Sequence, residues 1–160
     1  MEIDEKTLSE VIAKIVEVAI KADNGSNLKS STDEFGTVKE VAPSGVMKID
    51  YRNTKLPVFD CNGVHQEGVF MADISGVEDD KNLGAGVMSI DHSALEWTLT
   101  YDEMDIVLEG TLQIETNGDI VEAGPGEMII IPKNSHIHFQ SPTTCKYLYV
   151  VYPTNWTDYL

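Results

Sequence analysis

From Val46 onward the chain keeps the rhythm of short strands. Runs rich in β-branched and aromatic residues are broken about every eight to twelve residues by turn signals, as in a β-sandwich or barrel. The clearest unit is a hairpin. Residues 111–116 alternate apolar and polar, Asn117-Gly118 follows, and residues 119–122 return. Asn-Gly accepts the positive φ angles of a tight two-residue turn without strain, so this register is fixed locally. Glu109-Gly110 and Pro125-Gly126 mark further corners. Met128 to Ile131 is a continuous apolar run stopped by Pro132, and residues 146–152 are rich in Tyr and Val, as buried barrel strands should be.

The remainder of the chain reads differently. Leu8, Val11, Ile12, Ile15, Val16, Ala19 and Ile20 fall on one stripe of a helix, with Glu10, Lys14, Glu17 and Lys21 opposite. Thr7 and Glu10 have capping-box spacing and Gly25 supplies a left-handed stop. Residues 26–45 are mostly small and polar, which predicts a linker. The expected organisation is therefore an amphipathic helix over 1–25, a polar linker over 26–45 and an all-β barrel over 46–160. At 160 residues and 42% hydrophobic content, the chain has enough material for one core.

Twenty-seven acidic against eleven basic residues give a net charge of −16, which repels phosphate backbones and anionic head groups. Neither nucleic acid nor a membrane is an expected partner. The acidic start, Met1-Glu2-Ile3-Asp4-Glu5, lacks the basic character of a secretory signal, so a cytoplasmic location is expected. Cys61 and Cys145 have no ligand-spaced neighbours and read as reduced structural thiols.

Two spacings narrow the barrel to a known architecture. Glu103 followed six residues later by Gly110 matches the second half of the first cupin motif. Gly126 followed by five residues and Pro132 matches the first half of the second. The fold class expected is all-β, a cupin barrel of the jelly-roll or double-stranded β-helix type, centred on residues 84–153. In a metal-binding cupin two imidazoles, a carboxylate and a third imidazole meet in the barrel mouth. Here alignment on Glu103 puts Glu96 and Thr98 where the paired histidines belong, and alignment on Pro132 puts Ile137 at the third place. His136 and His138 flank Ile137 and, by strand alternation, face the other way. A metal site of the usual histidine type is not expected, and Glu103 remains in the middle of the old one. A carboxylate in such a mouth demands a partner, a proton or a cation, so Glu103 could hold Mg²⁺ or act as a general base.

The segments 97–110, 128–133 and 148–156, which include Trp97-Thr98-Leu99, Tyr101-Asp102-Glu103-Met104-Asp105 and Asn155-Trp156, closely resemble the ethanolamine-utilisation cupins, the EutQ family of bacterial ethanolamine operons. The resemblance implies a homodimeric cupin without the usual metal histidines, associated with a bacterial microcompartment. It also implies acetate kinase activity, converting acetate and ATP to acetyl phosphate and ADP, with Mg²⁺ and ATP as cofactors. Nothing in periodicity or composition suggests a kinase. The candidate catalytic residues are Glu103, Asp105 and Tyr101, and the candidate substrate pocket comprises Trp97, Thr98, Leu99 and Ile137. The helix over residues 7–25 resembles the short targeting helices of microcompartment enzymes and would dock on shell or lumen proteins. The alternative function is a non-catalytic assembly protein.

Overall fold

The computed structural model describes residues 10–14, 27–79 and 82–159. They divide into two compact units, one formed by residues 1–32 with 38–50 and the other by 33–37 with 51–160. In the first unit, Glu10 to Lys14 are helical and exposed, in agreement with the stripe there, and the rest of the expected helix lies outside the described residues. Residues 26–45 differ from a structureless linker. β1 (Lys29–Thr32) and β2 (Val38–Val41) lie in them and pair antiparallel with β3 (Met47–Asp50) in a three-stranded sheet. The sequence Lys-Ser-Ser-Thr of β1 is exposed at every residue. Ladder hydrogen bonds, which no composition rule reports, hold it in place. Met47–Asp50, expected in the barrel, belongs to this sheet.

The second unit contains two sheets. One runs β11 (Met128–Ile131), β8 (Asp102–Gly110), β13 (Thr144–Tyr152), β6 (Gly84–Asp91), β5 (Val64–Ser75), β4 (Val58–Cys61). The other runs β10 (Asp119–Ala123), β9 (Leu112–Thr116), β12 (His136–Gln140), β7 (Ala94–Thr98). All the pairings are antiparallel, and β7–β12, β9–β12, β8–β11, β8–β13 and β6–β13 join strands distant in sequence, as a jelly roll requires. The protein is an all-β cupin barrel in this part. The Asn117-Gly118 hairpin forms as expected, with φ of 52° and 88° and Thr116 facing Asp119.

The core follows from alternation. Leu95 and Trp97 on β7, Ile137 and Phe139 on β12, Leu112 and Ile114 on β9, and Cys145, Tyr147, Tyr149 and Val151 on β13 all turn inward and are buried. Packing fixes two glycines. The Tyr149 ring lies where a Gly86 side chain would stand, and the Thr144 carbonyl occupies the corresponding space at Gly110, whose φ is 71°. Cys61 and Cys145 are free thiols.

Candidate functional site

β8 presents residues 103, 105 and 107 to the interior, because side chains two apart share a face. Glu103 is 7% exposed and Asp105 is fully buried. Their cross-strand neighbours are apolar or aromatic: Ile131 and Val151 oppose Glu103, and Ile129 and Tyr149 oppose Asp105. Two carboxyls are therefore stacked on one strand between walls that offer them almost nothing polar.

The electrostatics follow from that placement. Burial raises the Asp105 carboxyl well above its usual range, and the neighbouring Glu103 charge raises it further. Burial likewise pushes Glu103 up to about 7, opposed by hydrogen bonds from Asp105 and Tyr101. No lysine, arginine or histidine is among the causes of either shift. Neither Asp105 oxygen has a hydrogen-bond partner in the fold. Two facing carboxyls bond to each other only when one carries a proton. Both carboxyls are pushed toward the protonated form, so near neutral pH the pair does not carry two full charges.

Aromatic rings close the mouth. Trp97 Nε1 donates to the Tyr101 hydroxyl at 3.0 Å. Trp156, on a short 3-10 turn (Trp156–Tyr159) after β13, packs 5.3 Å from Tyr101 and 6.5 Å from Trp97 between ring centres, and Phe59 meets Trp97 edge-on at 5.4 Å. The space left beside Glu103, walled by Phe59, Trp97, Phe139, Tyr149 and Trp156, is about 20 Å³. One water fits it and a nucleotide does not. A second polar contact lies at the rim, where the Tyr149 hydroxyl donates to Asp73 Oδ1 at 2.5 Å.

The structure brings Glu103, Asp105, Tyr101 and Trp97 together. Leu99 and Ile137 are buried core residues and do not line the space beside Glu103. Thr98 is a correction to the sequence expectation. With Trp97 and Leu99 inward, Thr98 and Glu96 face out, and Thr98 hydrogen-bonds His136 at 2.8 Å across the exposed face. The places beside Glu103 from this segment are thus taken by Leu95 and Trp97, each one residue from the positions expected. Thr98 instead edges an outer hollow of about 220 Å³ with Asn62 and Thr100. Sequence reasoning missed Phe59, Phe139, Tyr149 and Trp156. Alternation along residues 146–152 could have placed Tyr149 inward, whereas no local signal brings Trp156 to the mouth.

As a cation site, the pair supplies hard oxygen donors with unmet capacity, since both Asp105 oxygens lack a donor. No third His, Cys, Asp or Glu joins them among the described residues. Two carboxylates suit Mg²⁺, which keeps several waters or substrate phosphates in its octahedron, better than an ion that wants a full protein cage. The donor set fits, but the space of about 20 Å³ beside Glu103 is too small for an ion that keeps several waters.

An antiparallel double-sheet barrel with a buried carboxyl pair in place of the interior histidines is a cupin of the metal-histidine-free kind. Residues 4–158 match the family described as ethanolamine utilisation protein EutQ. The chain belongs to that family. It is 34% identical over 146 residues to a Salmonella typhimurium protein named acetate kinase EutQ, covering 91% of this chain and 62% of the relative. A Clostridioides difficile protein of the same name is 31% identical over 153 residues, covering 94% of this chain and 98% of the relative. The solved structure of the Clostridium difficile EutQ protein superposes with a TM-score of 0.68 at 35% identity, covering 75% of this chain and 89% of that one. The chain thus spans about three fifths of the Salmonella relative and nearly all of the clostridial one.

Proposed function

We propose that this protein acts in ethanolamine utilisation as an acetate kinase, transferring the γ-phosphoryl group of ATP to acetate, with the Glu103–Asp105 pair at the centre of the site. The observation that carries the reading is a buried carboxylate pair with no counter-cation. The name of the relatives supports the reaction. Acetate is already ionised at neutral pH. Its oxygen attacks the γ-phosphorus and the bond to the β–γ bridging oxygen breaks, leaving ADP, so no proton has to be removed. A general-base role for Glu103 is therefore not needed in this direction. Glu103, ionised above about pH 7, and Asp105 would hold Mg²⁺, whose charge offsets that of the phosphates. Tyr101 and Trp97 fix the rim through their mutual hydrogen bond, and the aromatic wall around Glu103 has to open for substrate to enter.

A coupled assay of ADP formation from acetate and ATP with Mg²⁺ tests this. Glu103→Gln is expected to lower kcat/KM at least a hundredfold, the size of loss seen when one transition-state charge contact is removed. Equal rates for the two proteins would take Glu103 out of the mechanism, and no activity in the parent protein would end the kinase reading.

A second reading, a non-catalytic assembly role in the microcompartment, is favoured by the outer face of the six-stranded sheet. Met104 and Ile106 on β8, Leu148 and Val150 on β13, and Met128 and Ile130 on β11 lie in two cross-strand rows. Met128 and Ile130 are 56% and 66% exposed. In a chain of net charge −16, this uncharged face lets two copies meet without bringing carboxylates together. The partner assigned to it is a second copy, giving a homodimer. Docking of residues 7–25 on shell or lumen proteins stays part of this proposal. Deleting those residues should abolish co-sedimentation with microcompartments if they do the docking, and unchanged co-sedimentation would refute it.

A further inference from the structure

The outer hollow of about 220 Å³ is lined by Asn62, Trp97, Thr98 and Thr100. Trp97 also lines the space beside Glu103, so the two spaces share one indole. Asn62 stands in the two-residue turn between β4 and β5, where Asn62 and Gly63 have φ of 50° and 79° and Cys61 pairs with Val64. That turn explains the left-handed backbone of Asn62. It leaves the exposed carboxamide free to meet a ligand. Thr100 sits at the bend between β7 and β8, three residues before Glu103, and its hydroxyl is buried without a hydrogen-bond partner in the fold. An orphaned hydroxyl costs stability unless something outside the fold satisfies it. Because Thr100 lines the hollow, a rotation of its side chain is enough to offer the hydroxyl there. Thr98 differs, since its hydroxyl is already bound to His136.

The chemistry of this lining selects a neutral, planar group that forms hydrogen bonds. It holds no charged side chain, in a chain with twenty-seven acids, so an anion placed there would lose its water without gaining a cation. The Trp97 indole donates its N–H to Tyr101, which leaves carbon surface as its share of the wall. Phe59 and Trp156 meet that indole at 88° and 71°, so neither ring lies parallel to it. The carboxamide of Asn62 offers a donor and an acceptor side by side. That pair matches N6–H and N7 of adenine, whereas guanine presents two acceptors, O6 and N7, on the same edge. The size points the same way. Pockets for whole ligands run from about 300 Å³ upward, so 220 Å³ holds one ring system and leaves the rest of a nucleotide outside.

We propose that this hollow holds the adenine ring of ATP, with Asn62 pairing the N6–N7 edge, Thr100 donating to a ring nitrogen and Trp97 supplying the apolar wall. The assignment rests on the kinase reading and adds to it a position for the part of ATP that does not react. Because Trp97 lines both spaces, a base held outside it leaves the phosphates to run toward Glu103 once the aromatic wall opens. Binding energy from such a remote group localises the phosphates, and the carboxamide makes ATP the preferred donor over GTP.

NMR titration of adenosine and of guanosine into the full chain, without magnesium or acetate, tests the base site apart from catalysis. Adenosine should give saturable shifts at Asn62, Trp97, Thr98 and Thr100, and guanosine should bind at least tenfold more weakly. Asn62→Gly keeps the left-handed turn and Thr100→Val stays close to the original shape, so both should match the parent by circular dichroism. Each should weaken adenosine at least about fivefold. In the coupled assay each should raise the KM for ATP by the same factor, with kcat and the KM for acetate unchanged. An active parent without adenosine shifts at these residues would overturn the site and leave the kinase reading standing. Equal affinity for the two nucleosides, or parent-strength binding in the double Asn62→Gly, Thr100→Val variant, would do the same. Specific adenosine binding without turnover of ATP and acetate would support the site and end the kinase reading.

Discussion

Glu103 is ionised only at a cost that the fold does not offset. Its folded pKa lies near 7 against an ordinary 4.5, so between those values the native state binds more protons than the unfolded chain. Stability contributed by this group is present below pH 4.5 and declines as pH rises through 7. The loss is about 3 kcal/mol, because each tenfold difference in proton affinity between the folded and unfolded chain is worth about 1.4 kcal/mol. Glu103→Gln removes the titration. Its melting temperature should match the parent's near pH 5 and exceed it at pH 8, as calorimetric scans at the two values would show. A parent protein more stable than the variant at pH 8 would mean that Glu103 has a cation partner in solution. Asp105 differs, because it is fully buried and neither of its oxygens has a hydrogen-bond partner. Asn keeps the shape without the ionisable group, so Asp105→Asn should stay within about 1 kcal/mol of the parent in denaturant melts. Asp105→Ala, which leaves a cavity and strands Glu103, should lose about 2–4 kcal/mol.

At the scale of elements, two strands make the site and two close contacts hold it. β8 carries the carboxyls and β13 supplies Tyr149 and Val151 beside them. Gly86 on β6 leaves room for the Tyr149 ring, so Gly86→Ala should displace that ring, disturb its bond to Asp73 and cost about 1–3 kcal/mol, readable by thermal denaturation and near-ultraviolet dichroism. Much of this level was legible in the sequence. The strand period from Val46 onward, the Asn117-Gly118 turn and the Glu103 to Gly110 spacing all depend on local rules and all three are present, although the first strand of that period, Met47–Asp50, belongs to the three-stranded sheet. The inward residues before Glu103 fall one place from where the motif spacing puts them, because counting residues across the bend at Thr100 and Tyr101 does not reveal how the chain turns there. Trp97 and Leu99 bury more apolar surface than Glu96 and Thr98, and burial settles the register. β1 and β2 escaped notice because short polar strands carry no apolar alternation. Trp156 reaches the mouth through tertiary packing alone, so no window of sequence around it could have shown the contact.

For the whole molecule, charge and surface decide how copies associate. A formal charge of −16 opposes contact between copies, least where apolar side chains are gathered, and Met104, Ile106, Leu148, Val150, Met128 and Ile130 form such a stretch with Asp102 at its edge. Sedimentation velocity should therefore show a dimer, and the double variant Met128→Lys, Ile130→Lys should shift it to monomer while leaving the melting of the barrel cooperative. Salt screens the charge between copies, so the parent dimer should tighten as ionic strength rises. A monomeric parent at micromolar concentration would contradict the assignment of this face.

The site depends on one state, two buried carboxyls that the fold keeps from both ionising. Carbon-detected NMR of protein labelled at the side-chain carboxyls, titrated from pH 4 to pH 10 and assigned with Glu103→Gln and Asp105→Asn, observes it directly. The expected result is that Glu103 titrates near pH 7 while Asp105 stays protonated well beyond it. Two carboxyls that both ionise near pH 4, independently of one another, would contradict that state and the site built on it.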